Sequence, residues 1–270
     1  MTAETLDPVT GRRHGRAALL VMVLSAFGLA AIVLTALNSS TGQSVDDAAM
    51  NAVTATNSAE ITVLGVLGNV SIGAILTIAV ICVAIALLRR RFRLAVGALT
   101  IIAGSNVTTQ ALKHVLDRPD LGVGFHLANS LPSGHTTVVT SAVAALLLVL
   151  PAGTRPLMAF VGTAAVGVTG LSTVVAGWHR PADVAAALLV VLLWTSIVAA
   201  TVHGRRGRGL AAAMASLVGG AVAVVGLLTI GVRPEHSWRD AVLAAGVLGL
   251  VALCAAFVVT LMVTVIPAHD

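Results

Sequence analysis

Charge is scarce in this chain. Only 10% of its 270 residues are Asp, Glu, Lys or Arg, against roughly 25% in a soluble domain. That shortage excludes an ordinary water-soluble fold. Aromatic residues are as rare, at 3%, with three Trp and no Tyr, so the bilayer-facing mass is Ala, Val, Leu and Ile. There are two cysteines, Cys82 and Cys254, both inside apolar runs. They read as small core residues rather than a disulfide or metal pair. What the chain does have is apolar residues, 57% of the total, and a mean hydropathy of +1.00. Several apolar runs of about 20 residues, the length a spanning helix needs, are separated by short polar breaks. The expected fold class is all-α, a polytopic membrane helix bundle.

A polar tail, residues 1–16, places Arg12, Arg13 and Arg16 before the first run, Ala17 to Leu37. A basic start before an apolar stretch also suits a secretory signal, but about 21 residues exceeds a signal core, so the run reads as an uncleaved first span. Residues 38–60 hold Asp46, Asp47 and Glu60 and no Lys or Arg. Val45, Ala49 and Val53 recur at helical spacing, which predicts a short amphipathic helix flat on the bilayer. Asp46 and Asp47 read as a solvated face or helix-start pair, with catalytic carboxylates the alternative.

A second span within Ile61 to Leu88 ends at Arg89, Arg90, Arg91 and Arg93, a topology anchor that also feels anionic lipid. A third, about Leu94 to Leu116, carries Ser105, Asn106, Thr108, Thr109 and Gln110. Polar residues at membrane depth face the bundle interior or a wet cavity. The fourth span covers Gly134 to Leu150, the fifth Leu157 to Val175, and the sixth runs from Pro181 to about Val202. Two more, Leu210 to Val232 and Ala241 to Ile266, flank the loop Arg233 to Asp240. That loop, with Glu235, His236, Trp238 and Arg239, reads as a solvated connection with an interfacial Trp, a lid being the alternative. The predicted organisation is a tail (1–16), a six-helix core (17–202) and two additional C-terminal transmembrane helices (203–270).

With the N-terminus inside, the inner loops hold eleven of the 16 basic residues and the outer loops five: Lys113, Arg118, Arg180, Arg233 and Arg239. This positive-inside bias supports eight spans with both termini cytoplasmic. It also explains the net charge of +5 without a nucleic-acid partner. Segments 113–120, 129–135 and 176–183 then share the extracytoplasmic face. Four of the eight histidines, His114, His126, His135 and His179, lie in these segments or the loop joining two of them.

The stretch Asn129-Ser-Leu-Pro-Ser-Gly-His135 enters the fourth span. Ser133 is a good N-cap, and the N–H groups of Gly134 and His135 belong to the unpaired first turn. Such a helix start is an anion site. Gly134 lets a ligand approach the backbone, and His135 moves a proton near neutral pH. His179 and Asp183 lie four apart around Pro181, so the carboxylate can hold one ring nitrogen and leave the other as a nucleophile. Each feature alone also reads as a helix cap; their convergence on one face favours a phosphate site.

These residues resemble the type 2 phosphatidic acid phosphatase family, relatives of the vanadium haloperoxidases. Lys113 with Arg118-Pro119, then Pro132-Ser133-Gly134-His135, then His179 with Asp183, carry the likeness. The resemblance implies an integral membrane lipid phosphatase with no cofactor and no metal. It implies that His179 attacks phosphorus, oriented by Asp183, and that His135 protonates the leaving oxygen and then activates water. Lys113, Arg118, Ser133 and Gly134 would hold the phosphate oxygens. Two positions depart from the signature. Where it has Arg-Pro, with six residues between it and the lysine, this chain has Asp120 and Leu121; where it has Ser-Arg, this chain has Ser172 and Thr173. Asp120 would repel phosphate unless paired, with Arg118 or Arg180, and Arg180 is the candidate substitute for a missing phosphate-binding charge.

The expected substrate is a lipid phosphate or polyprenyl diphosphate, its tail remaining among the membrane lipids at the plasma membrane. A phosphotransferase and a non-catalytic lipid-phosphate binding or transport protein are the alternatives. Whether the last two spans pack on the core or build a homo-oligomer stays open.

Overall fold

The computed structural model describes residues 8–123, 129–202, 209–234 and 238–268. His126, Arg205, Arg206, Arg208, Glu235 and His236 lie outside the described residues. The chain is a helix bundle: α1 (Pro8–Ile32, continued by a wider turn over Val33–Leu37), α2 (Ser40–Asn51), α3 (Asn57–Asn69), α4 (Ile72–Leu88), α5 (Phe92–Val115), α6 (Gly134–Val149), α7 (Arg155–Val175), α8 (Pro181–Thr201), α9 (Gly209–Ile230) and α10 (Trp238–Val265). All eight apolar runs are helical.

Polar residues set the helix starts. Ser39, Thr56, Ser71 and Ser133 each accept a backbone N–H from the first turn they precede, those of Gly42, Ala59, Ala74 and Thr136. Ser71 starts a helix within the second apolar run, which is therefore not one rod: α3 and α4 meet at a 49° bend. Among the described residues, five helices are long and apolar enough to cross a membrane, and the bent pair makes a sixth. Two fall short of that measure. α6 has 16 residues, about 24 Å at 1.5 Å per residue, against a hydrocarbon core of about 30 Å. α5 has 24 residues but carries the polar half. Leu88, Ile72 and Leu210 are 84%, 79% and 78% exposed, as lipid-facing side chains in a multi-pass membrane protein are.

Most polar residues of α5 face inward. Ser105 and Thr109 are buried; Thr109 shares a hydrogen bond with Thr137 and Asn106 donates to Ser141. Trp194 lies over Gly104 and donates to Thr108. Gln110 is exposed instead. α1 packs along α8, and α9 lies against α7. The latter contact is close because Gly219 faces the Phe160 carbonyl and Gly167 faces Ala223; small residues let membrane helices approach. α10 packs on α9, α7 and α8, so the last two helices cover the bundle within one chain.

The sequence reading contained no strand. The structure has a two-stranded antiparallel ribbon, β1 (Val53–Ala55) with β2 (Val232–Pro234), in register Val53 to Pro234, Thr54 to Arg233 and Ala55 to Val232. It clips the α9–α10 connection to the α2–α3 connection, so Arg233 is held in the ribbon. α2 is the short helix the spacing predicts. Val45 is 63% exposed while Gln43, Asp46, Asp47 and Met50 are buried. Of the predicted stripe only Val45 faces out: Ala49 packs on the core and Val53 is buried in β1.

The α2 carboxylates meet the ends of α5 and α8 and the turn before α6 at one end of the bundle. Arg89, which donates to the Val149 carbonyl, and Arg155, which donates to the Pro267 carbonyl, mark the other end.

Candidate active site

The first turns of α6 and α8 are joined directly. The Ser133 amide donates to the Asp183 carbonyl at 2.9 Å. Ser133 Oγ accepts from the Thr136 amide at 3.4 Å and from the Thr136 hydroxyl at 3.0 Å, which fixes it as the N-cap of α6. The N–H groups of Gly134 and His135 are then the ones that the helix itself leaves unpaired. Lys113, from the last turn of α5, reaches this turn: a Cβ built on Gly134 would stand 3.7 Å from its Nζ. A cation and a helix start thus face one spot, the arrangement an anion needs.

His179 follows the close of α7. The amides of Trp178 and His179 both donate to the Thr173 carbonyl at 3.1 Å, and Gly177 takes φ +68° in that turn, a conformation open to glycine. His179 Nδ1 lies 3.1 Å from Asp183 Oδ2. The same oxygen accepts from the Arg180 amide at 3.0 Å and the Ser130 hydroxyl at 2.6 Å. A carboxylate with three donors stays an acceptor, which makes Nδ1 the protonated nitrogen and leaves Nε2 its lone pair. His179 is 7% exposed and Asp183 2%. The His135 imidazole lies tilted against the Trp178 ring, with ring centroids 5.6 Å apart.

The two arginines sit behind this centre and share one acid. Asp47 Oδ1 accepts from Arg180 Nε and, at 3.4 Å, from Arg118 Nη2. Arg118 also donates to the Ala36 carbonyl at 3.5 Å, and Arg180 Nη1 donates to Ser130 Oγ at 3.1 Å. Asp46 Oδ1 accepts the Ala182 amide at 3.0 Å, in the first turn of α8.

The reading of Asp46 and Asp47 as a solvated or helix-starting pair is therefore overturned. Both are buried, 9% and 7% exposed, well inside α2. Burial lifts the Asp46 carboxyl to about 7, with the Asp183 charge adding to the rise and the Ala182 amide, Arg180 and Arg118 opposing it. Arg118 is drawn below its ordinary value by burial and by Arg180, against the pull of Asp47 and the other two acids. The pairing expected for Asp120 is also absent. Asp120 is exposed and accepts the amide of Gly122 at 2.9 Å; Asp47, not Asp120, is the arginines' partner. His114 is exposed and bonds the Gln110 carbonyl at 2.7 Å, away from the centre.

The sequence reading gave Ser130 no role, although it stands inside the quoted stretch. A small hydroxyl beside the anion turn was its only signal. Thr173, where the signature has arginine, is buried and donates to the Gly170 carbonyl at 2.7 Å. Among the described residues no group of three or more His, Cys, Asp or Glu side chains is placed to hold a metal ion. The arrangement suits nucleophilic attack on phosphorus by a buried, oriented imidazole, with a second imidazole and a cationic turn nearby.

No curated protein and no solved structure matches the chain. A family model, described as the PAP2 superfamily, matches residues 94–207. That stretch runs from α5 past the end of α8 and contains Lys113, the Ser133–His135 turn and the His179–Asp183 pair. Over residues 94–207, less than half of its length, the chain is similar to the PAP2 superfamily.

Proposed function

We propose that this protein is a membrane phosphatase that hydrolyses a lipid-linked phosphomonoester or diphosphate through a phosphohistidine. The observation that carries the proposal is the Asp183 carboxylate on His179 Nδ1, beside a helix start faced by Lys113. His179 Nε2 attacks phosphorus; the new N–P bond forms as the P–O bond to the leaving group breaks. His135 gives that oxygen its proton. Water then attacks phosphorus, His135 takes the water's proton, and the N–P bond breaks to release phosphate and restore His179. Lys113, Ser133 and Gly134 face the transferring oxygens, and Arg118 and Arg180 add positive field from behind.

The six apolar spans of residues 17–202 form the catalytic core in this reading, with α9 and α10 additional to it. The site opens on the extracytoplasmic side. The described arginines of the opposite end, Arg16, Arg89, Arg90, Arg91, Arg93 and Arg155, support that orientation. A lipid substrate follows from position, since a tail stays in the bilayer while its head group enters.

Phosphate release from a panel of lipid phosphates and diphosphates, in detergent with chelator, tests this beside His179→Ala. Release that survives chelator and vanishes in the variant is expected. No release from any lipid, with inorganic phosphate still bound, would sink the hydrolase reading in favour of a lipid-phosphate binding protein. Phosphate appearing on an added alcohol in place of water would mark a phosphotransferase.

A further inference from the structure

Outside the residues proposed to hold phosphate, α2 carries two buried carboxylates, Asp46 and Asp47. Gln43, Asp46, Asp47 and Met50 fall at i, i+3, i+4 and i+7, one face of the helix, and all four are buried. Three of them are fastened to the site's own segments. Gln43 Nε2 donates to the Leu37 carbonyl at 2.7 Å and to the Pro119 carbonyl at 3.0 Å, beside Arg118. Asp46 takes the Ala182 amide. Asp47 Oδ1 takes both arginines, whose side chains are 2% and 4% exposed.

Two guanidinium groups this close repel each other, and burial sharpens the repulsion. A carboxylate shared between them holds them at one separation. The chain of bonds continues from Arg180 Nη1 to Ser130 Oγ, from Ser130 to Asp183 Oδ2, and from Asp183 to His179 Nδ1. Asp47 is thus connected to His179 by four hydrogen bonds through three side chains, Arg180, Ser130 and Asp183.

We infer that Asp47 is a positioning residue for phosphate binding and transfer. From α2 it sets the spacing of Arg118 and Arg180, and through Arg180 and Ser130 it fixes the carboxylate that orients His179. The inference rests on the phosphohistidine reading above. It also gives α2 a role in the site: its buried face, through Asp47, holds the arginines. Two chain segments that the signature would equip with arginine, at Asp120 and Thr173, lack it; the two arginines that stand near the site are both bound to this one acid.

The test uses the full-length protein in detergent, comparing Asp47→Asn and Asp47→Glu with the parent and with Asp120→Asn, an exposed control. Three quantities are read: kcat and KM for phosphate release, melting temperature, and inorganic phosphate binding followed by tryptophan fluorescence, Trp178 lying against His135. Asp47→Asn is expected to lower kcat/KM by about tenfold or more, the worth of a hydrogen bond to a charged group. It is expected to weaken phosphate binding in step, at a melting temperature close to the parent's. Asp47→Glu restores part of both, and the effects of Asp47→Asn and Arg180→Lys are less than additive when combined.

Unchanged kinetics and phosphate binding in Asp47→Asn would overturn the inference. So would a loss that tracks melting temperature alone. If Asp47→Asn does not fold, Gln43→Ala loosens α2 with every charge in place and must reproduce the weakened phosphate binding, or the inference fails. A parent that releases no phosphate overturns the hydrolase reading separately, because phosphate binding still reads Asp47.

Discussion

The amide of Ser133 donates to the carbonyl of Asp183 at 2.9 Å. One backbone hydrogen bond therefore couples the first turn of α6 to the helix start that carries Asp183, the partner of His179. A shift of either helix would move the proposed nucleophile and the proposed phosphate site together.

His135 is expected to serve the leaving group. His135→Ala should lower turnover of an alkyl phosphate by about 10²–10⁴. It should lower turnover of an aryl phosphate with an acidic phenol far less in the first step, because that oxygen leaves without a proton. Burst and steady-state release measured on both esters check this. Equal losses in the burst would assign His135 to another task.

Asp183 accepts three donors on one oxygen. Asp183→Asn cannot keep Nδ1 protonated with the same strength and is expected to cost up to about 10⁴ in kcat, by analogy with the loss of an orienting carboxylate in other histidine-based sites. Ser130→Ala removes one donor and leaves the ion in place; about tenfold is expected. If Ser130→Ala were the more damaging of the two, the hydroxyl and not the carboxylate would be orienting His179.

Gly134→Ala tests the close approach of an anion to the turn. The added Cβ meets nothing nearer than Lys113 Nζ at 3.7 Å, an ordinary contact, so the melting temperature should hold. KM and the half-saturating phosphate concentration should rise, by about tenfold. A variant with parental phosphate affinity would place the anion away from this backbone.

Asp46 makes stability depend on pH. Its carboxyl titrates at about 7 in the folded chain, against about 3.9 when unfolded. Between these values the folded chain holds a proton that the unfolded chain has released, so stability falls as pH rises from about 4 to about 7 and then levels. Asp183, Arg180 and Arg118 face the same carboxyl and modulate the shift. Asp46→Asn should abolish this component. Its melting temperature, set against the parent's, should gain from pH 5 to about pH 7 and then hold. Parallel curves would refute a buried, proton-holding Asp46.

Gly219→Ala addresses the outer pair of helices. A Cβ there overlaps the Phe160 carbonyl of α7. Pushing α9 off α7 is expected to cost about 1–3 kcal/mol, the usual price of overpacking, read as a lower melting temperature. Per-molecule turnover at low temperature should survive, since the site lies on other helices. A large loss of kcat with unchanged melting would show that α9 shapes the site.

The sequence by itself determined which segments are apolar helices, because length and hydropathy act locally. It determined the N-cap at Ser133 and the pairing of His179 with Asp183, because both are set within a turn or two of one helix. It also identified the segments that converge, since the alternation of spans puts the end of α5, the start of α6 and the join of α7 to α8 on one side. The bend between α3 and α4 was written in Ser71 but hidden by the continuous apolar run around it. Tertiary structure alone decided the rest. Asp46 and Asp47 have no local feature that distinguishes a solvated pair from a buried one. Whether the polar stripe of α2 meets water or two arginines depends on how α2 docks, and an ion pair between residues so distant in sequence has no periodicity to reveal it. The ribbon of Val53–Ala55 with Val232–Pro234 is hidden for the same reason: three residues are too few to show an alternating pattern, and each strand exists only because the fold delivers its partner.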